Sequence, residues 1–413
     1  MNFLQKRLNS FLWNNKPDKI SRKIAKQDKT RGGLGMIDVQ RFLLALKLTW
    51  VRKILQPNEN RWKYVALSVF PKLHHIQLLG STFAHTLAKN INNQFWKDVL
   101  VAYKTYTDTF VPRNINEALS MSFLFQPGVT LDTSTIDTQI LINNNITYLH
   151  QLVHRQTWIT YTDFTVKYNI RLNYLSFYSI IHACKAFIQS FYFNVEENDT
   201  TPDNPFYLTD LIRTKKGCSC LYARLQNEVT TPKGMGKWFK KFNNSVEPDQ
   251  VFKHLLLTTK DSQLQWFQFR ILHNILSTNL LMSKMGKDQT DTCTLCGDHS
   301  ETISHLLWSC EISQRFWNSL QNLLISKCTH VDLNGFIYNE ELITLGLLNN
   351  FSVDRIFYLI TLLGKFHIYK CKVNKAKPSL TFFIPFVKRY HDVECTIHHK
   401  NKAEWSPYEF IFT

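Results

Sequence analysis

Four residues in one short stretch could do metal chemistry: Cys293 and Cys296, two residues apart, then His305 and Cys310 within "CTLCGDHSETISHLLWSC". A Cys-x-x-Cys turn presents two thiolates to one ion, and a histidine and a third cysteine complete the four donors of a tetrahedral zinc. With all four positions taken by protein, no place is left for water or substrate, so the spacing implies structural Zn2+ and not a catalytic one. His299 competes with His305 for the third position, since it follows Cys296 closely.

Positioning these donors needs a tight turn and a broken helix. Gly297 follows the second cysteine, where a thiolate turn needs backbone freedom. Glu301 and Thr302 can open a short helix carrying His305. His305 and Cys310 are five apart, roughly 140° out of alignment on an ideal helix, so the spacing predicts a break near Ser309. Beyond it, Ile312, Phe316, Leu320 and Leu323 or Leu324 form an apolar stripe. Trp308, Phe316 and Trp317 can pack a dry shell around the metal loop.

Other clusters carry weaker signals. Cys218 and Cys220 lie one residue apart with no histidine near; His182 and Cys184 sit in an apolar helix and read as core or edge; His391, Cys395, His398 and His399 include no cooperating cysteine pair.

The second chemical signal is charge. The chain carries 49 basic and 32 acidic residues, a net +17. Residues 1–65 hold 15 Lys or Arg against Asp18, Asp28, Asp38 and Glu59, so about two-thirds of the excess lies in the first sixth. A localised positive field favours a polyanion, with nucleic acid the first expectation and a membrane surface the rival. Arg22, Lys23, Lys26, Lys29 and Arg31 are the phosphate-binding candidates there, with Trp13, Trp50 or Trp62 as an anchor; Lys237, Lys240 and Lys241 form a second basic set. Against both stands the plain reading of solvated charge. The Gly32, Gly33 and Gly35 group lacks the Lys-Ser or Lys-Thr of a phosphate-binding P-loop, and reads as positive-φ turns leading into a helix.

The elements read as mostly α, several helical bundles with a small structural zinc module near the C-terminal third. After a short N-terminal helix and a basic loop, Asp38 caps a helix to Leu55, with Phe42, Leu46, Trp50 and Ile54 on one face. A second amphipathic helix carries Phe95, Val99 and Tyr103; a third carries Leu264, Phe267, Ile271 and Ile275, with a fresh start at Thr278 and Asn279. The stretch 146–170 mixes helical and strand patterns and stays unassigned. A linker is expected near 195–205, and one apolar helix from Ser352 to about Cys371 precedes a basic, aromatic tail. The segments are 1–65, 66–200, 205–290, 291–330 and 331–413. No signal peptide and no membrane span is visible, and nine cysteines suit reduced thiols plus a metal site. An intracellular protein, nuclear or cytoplasmic, is expected, with no small-molecule substrate.

Three stretches, "RGGLGMIDVQRFLLALKLTWVRKIL", "LQWFQFRILHNILSTNLL" and "CTLCGDHSETISHLLWSCEISQRFW", resemble in this order the region C-terminal to the polymerase core of LINE-type non-LTR retrotransposon reverse transcriptases. The last is similar to their zinc-binding domain. The resemblance implies RNA or DNA binding in support of target-primed reverse transcription, with residues 1–65 as a thumb-like segment. The family's catalytic tyrosine, any residue, and two aspartates are missing: Tyr161-Thr-Asp163-Phe164 and Tyr390-His-Asp392-Val393 do not qualify. No catalysis is therefore expected. The alternative is a scaffold or interaction protein from a decayed or domesticated element.

Overall fold

The computed structural model describes residues 2–56, 61–131, 136–154, 156–193, 211, 217–226, 230–243, 247–287, 290–328, 336–347, 354–397 and 401–412. The expected linker at 195–205 lies outside the described residues, as do His398 and His399. Among the described residues the architecture is helical, as expected, and the strands are a two-residue antiparallel pair, Val153–His154 with Thr157–Trp158. None of the described helices is long and apolar enough to cross a membrane.

The chain forms two compact units. One is continuous, Asp38–Asn227; the other is split, Asn2–Ile37 with Glu228–Thr413. The basic stretch that opens the chain thus folds with the Cys293–Cys310 segment, although the whole continuous unit intervenes in sequence. The helix after Asp38 belongs to the other unit.

In the continuous unit the helix starts are set by side-chain caps. Asp38 accepts from the N–H groups of Gln40 and Arg41 and opens Val39–Leu55; Asn93 opens Gln94–Asp108; Thr160 opens Tyr161–Tyr168; Asn173 opens Tyr174–Gln189. The Val39–Leu55 helix buries Ala45, Leu48, Val51, Ile54 and Leu55, while Leu46 is 39% exposed. Of the predicted Phe42, Leu46, Trp50 and Ile54 stripe Ile54 is buried; the buried row runs to it along an i, i+3 line through Ala45, Leu48 and Val51, which leaves Phe42, Leu46 and Trp50 aside. Trp50 sits beside it, edge-on to Trp62, Phe95 and Trp96. The unassigned stretch resolves into short pieces: a 3-10 turn at Leu149–Leu152, the strand pair, and the Tyr161–Tyr168 helix closed by Asn169 at φ 53°. Each is too short to impose one period. Cys184 is fully buried and His182 exposed, which fits core and edge roles.

The split unit is built around the Arg355–Val373 helix, buried on nearly every side from Ile356 to Ile368. An all-round apolar helix of this kind belongs in a core. Gly364 lets Trp317 lie against it: a Cβ there would come 2.8 Å from the indole ring. The Ser262–Leu272 helix buries Leu264, Phe267, Ile271 and Leu272, and Thr278 caps the next helix, Asn279–Lys284, as the sequence indicated. The tail departs from expectation. Leu380–Ile397 is an 18-residue helix with Pro385 inside it, and Trp405, Tyr408 and Ile411 are buried beyond it. A proline removes one rung of the helical ladder, which hid this element from a pattern reading.

Candidate metal centre and its basic surroundings

The Cys-x-x-Cys turn hangs on a hairpin-like loop. Cys293 N–H donates to the His299 carbonyl at 2.7 Å, Glu301 N–H to Asp291 at 2.7 Å, and Thr292 bridges Ser300. Gly297 closes the turn on the Cys293 carbonyl at 2.8 Å with φ 84°, a conformation that side chains disfavour. The expectation for this glycine holds.

On the other side Thr302 accepts from the His305 N–H at 2.9 Å and starts a helical turn. The helical run ends at Ser309, where the break was expected, and it reaches that point by widening. Residues His305–Ser309 widen into a π turn, in which the Cys310 N–H reaches the His305 carbonyl at 2.7 Å. Winding wider brings residues five apart onto one side, which an α-helix cannot do. The chain becomes extended at Cys310 (ψ 128°), and Glu311–Lys327 then starts as a new helix. The wide turn loosens two carbonyls from the regular ladder, and this next helix serves both. Ser313 Oγ donates to Leu306 O and Trp317 Nε1 to Leu307 O, each at 2.7 Å and buried.

The donor atoms of Cys293, Cys296, His305 and Cys310 all lie within 4.8 Å of one another. Cys293 Sγ and Cys310 Sγ are 4.0 Å apart, and Cys296 Sγ faces His305 Nε2 at 3.3 Å. A tetrahedron with Zn–S near ~2.3 Å and Zn–N near ~2.0–2.1 Å has edges of roughly 3.5–3.8 Å. The set therefore fits one zinc ion in size and chemistry. His299 stands outside it, exposed, its ring edge-on to His305 at 5.4 Å between centroids.

The local field prepares the sulfurs. The hydrogen bond from Cys293 pulls the Cys310 thiol down to about 5, helped by the N–H groups of Ser313 and Ile312 in the first turn of the next helix. Cys293, sharing its proton with Cys310, is pushed up, against the N–H groups of Cys296 and Leu295 that face its sulfur. Zinc takes cysteine as thiolate, so binding to this set releases the protons that its three cysteines hold.

Glu301 is the residue whose role the sequence did not disclose. It is completely buried; one carboxylate oxygen accepts from Asn279 N–H and the other from Thr294 N–H, both at 2.9 Å, and Lys372 approaches at 3.4 Å. It thus ties the turn between the two cysteines to the start of the Asn279–Lys284 helix. The only sequence signal was an acid between the cysteine pair and the histidine, which reads equally well as a helix opener.

Residues 235–317 match the family model described as zinc-binding in reverse transcriptase. The matched segment is of reverse-transcriptase zinc-binding type. It runs from Met235, in the Lys233–Phe242 helix, to Trp317, the indole that braces the π turn. No curated protein matches the chain.

The first basic set is folded onto this zinc-binding segment. The expected loop holds a short helix, Arg22–Lys26, and a 3-10 turn, Lys29–Arg31. Trp13, Ile20, Ile24 and Ala25 pack with Phe269, flanked by Trp266 and Ile275. Trp13 is 7% exposed and pressed against Trp266, so of the three expected anchors it is the one that fixes the basic loop to the core. Gly33 is compressed: a Cβ would lie 1.9 Å from the Gln27 carbonyl. Gln27 bonds Arg31 O and Thr230 O, and the Gly32 carbonyl accepts from His273 Nε2 at 2.9 Å. Burial pushes the His273 imidazole down to about 4, so it is neutral and its Nε2 holds the proton it donates.

Arg22, Lys23, Lys29 and Arg31 are exposed and Lys26 half-buried. Arg22 pairs with Asp18 at 2.7 Å and Arg31 with Asp249 at 3.6 Å. Lys237, Lys240 and Lys241 are exposed on the Lys233–Phe242 helix; Lys241 donates to Ser304 Oγ at 2.8 Å and pairs with Glu340. Among the described residues the four-donor set is the one metal-competent group, and neither Asp163 nor Asp392 joins a carboxylate cluster. Asp163 accepts from Thr160, and Asp392 from His391.

Proposed function

We propose that this chain is the non-catalytic part of a LINE-type, non-LTR retrotransposon reverse transcriptase that follows the polymerase core. In this reading it binds RNA or DNA and supports target-primed reverse transcription in the nucleus or cytoplasm. The observation that carries the proposal is the coincidence, in one unit, of the four-donor set, the zinc-binding match and two exposed basic surfaces.

Cys293, Cys296, His305 and Cys310 would hold the ion, which cross-links the loop to the π turn and performs no reaction. Chemistry would belong to a palm with its own carboxylates. The chain's own residues supply the rest: Glu301 fixes the cysteine turn, and the lysines and arginines meet phosphate.

Binding of labelled RNA and DNA strands across a salt series tests this. Several phosphate contacts predict a steep loss of affinity, with a log–log slope of about −0.7 per contact on single strands. Absence of binding at low salt would exclude the proposal. That outcome would favour the interaction-scaffold reading, which has in its support the exposed Phe3, Leu4, Leu8 and Phe11 of the first helix.

A further inference from the structure

Beside the zinc loop lies a cleft of about 490 Å³, formed by the Lys233–Phe242 helix, the Asn279–Lys284 helix and residues 302–304. Its floor is apolar: Leu276 is fully buried, Ile303 is 5% exposed, and Leu280 and Leu281 are half-buried. Its rim is cationic, with Lys237 and Lys241 from one helix and Lys284 from the other. No carboxylate lines it; Glu340, which holds Lys241, stands just outside. Asn274, Thr278 and Thr302 add hydrogen-bonding groups between floor and rim.

An apolar floor of Leu280, Leu281 and Ile303 beside Trp238, edged by cations, suits an apolar ring attached to phosphates. Duplex DNA or RNA keeps its bases stacked inside and would present phosphates to the rim alone, leaving the floor bare. An unpaired nucleotide can satisfy both. The volume is within the ordinary range of small-ligand sites, roughly 300–1,000 Å³, and so admits one or two bases. We infer that this cleft is a slot for an unpaired nucleotide of a single strand, with Lys237, Lys241 and Lys284 on the flanking phosphates and Leu280, Leu281 and Ile303 beneath the base. The inference rests on the nucleic-acid reading above and adds to it the strand form and the place of binding. It also puts the strand directly against the segment that delivers His305, since Thr302, Ile303 and Ser304 belong to both.

The test is fluorescence anisotropy of the full chain with a 12-nucleotide single strand, as RNA and as DNA, and with the duplex of the same sequence. Leu280→Trp fills the floor, and Lys284→Glu reverses part of the rim; both positions are partly or fully exposed. Zinc content checks that each variant is folded. The slot predicts that the single strand binds better than the duplex, and that Leu280→Trp weakens the single strand by about tenfold, the scale of one lost base contact. Leu280→Trp should leave the duplex within about twofold, while Lys284→Glu weakens both forms, since the rim meets phosphate in either. A duplex bound as tightly as the single strand, or a Leu280→Trp variant with unchanged single-strand affinity, would overturn the slot while leaving nucleic-acid binding in place. No binding of either form to the unaltered chain would instead remove the functional reading itself.

Discussion

The two units bury different kinds of residue. Both close their cores with aromatics, Tyr103, Phe123, Phe164 and Phe177 in the continuous unit and Trp317, Trp405, Phe267 and Phe357 in the split one, but the continuous unit's buried acids, Asp38 and Glu117, lie at helix starts. The split unit buries Glu301, His305, Lys365, His273 and His367 within its core. Buried ionisable groups are costly unless paired, so their concentration marks where the fold trades stability for a specified geometry. The first unit should respond to perturbation as packing; the second should respond as a network of polar ties around a metal.

The largest separation should come from metal removal. A strong chelator, or Cys310→Ser, withdraws a binding term that reaches about 10–16 kcal/mol in small zinc modules. In calorimetry the transition of the split unit should collapse, while a second transition from the continuous unit stays near its original temperature. Simultaneous loss of both would erase the distinction.

Next comes Glu301→Ala. It orphans the N–H groups of Asn279 and Thr294 and leaves Lys372 without its acid, and breaking such a buried arrangement costs about 3–5 kcal/mol. Thermal unfolding should show this, together with weakened zinc retention against a competing chelator. A change of a few tenths of a kcal/mol would show that the carboxylate is only a surface-like cap.

The acid response is smaller. Burial pushes both His273 and His367 from 6.5 down to about 4. Between those values the unfolded chain binds protons that the folded unit refuses, so stability is full above pH 6.5 and falls as pH drops toward 4. Each buried ring contributes at most roughly 3 kcal/mol. Lys365 adds the complementary trend at the other end: burial lowers it from 10.5 to about 7, so stability rises as pH increases from 7 toward 10.5. Urea midpoints across pH should follow both limbs in the split unit, and His273→Gln should flatten part of the acid limb.

The smallest effect is expected from Lys240→Ala. An exposed lysine on a phosphate surface should weaken strand binding a few-fold and reduce the salt slope by about 0.7. Stability should not change measurably.

Much of this was legible in the residues. The metal set could be read because ligand type and spacing are local, and the Asp38 and Thr278 caps because a cap acts within one turn. The fold of the basic stretch was not legible, since its ties to Thr230, Phe269 and His273 cross the whole continuous unit and leave no periodic trace. The π turn escaped for a different reason. Five-residue spacing told that the helix had to end near Ser309, but not that it would widen first, which depended on Ser313 and Trp317 donating to the loosened carbonyls. The buried stripe of Val39–Leu55 and the Leu380–Ile397 helix were misjudged where Trp50 and Pro385 obscured the pattern.

The central claim is that Cys293, Cys296, His305 and Cys310 bind one structural zinc ion in a segment of reverse-transcriptase zinc-binding type. Elemental analysis of protein purified without added metal tests it most directly, on the unaltered chain, Cys293→Ser and His299→Ala. The account predicts one zinc per chain in the first and in His299→Ala, and a large loss in Cys293→Ser. Full metal content in Cys293→Ser, or its loss in His299→Ala, would contradict it.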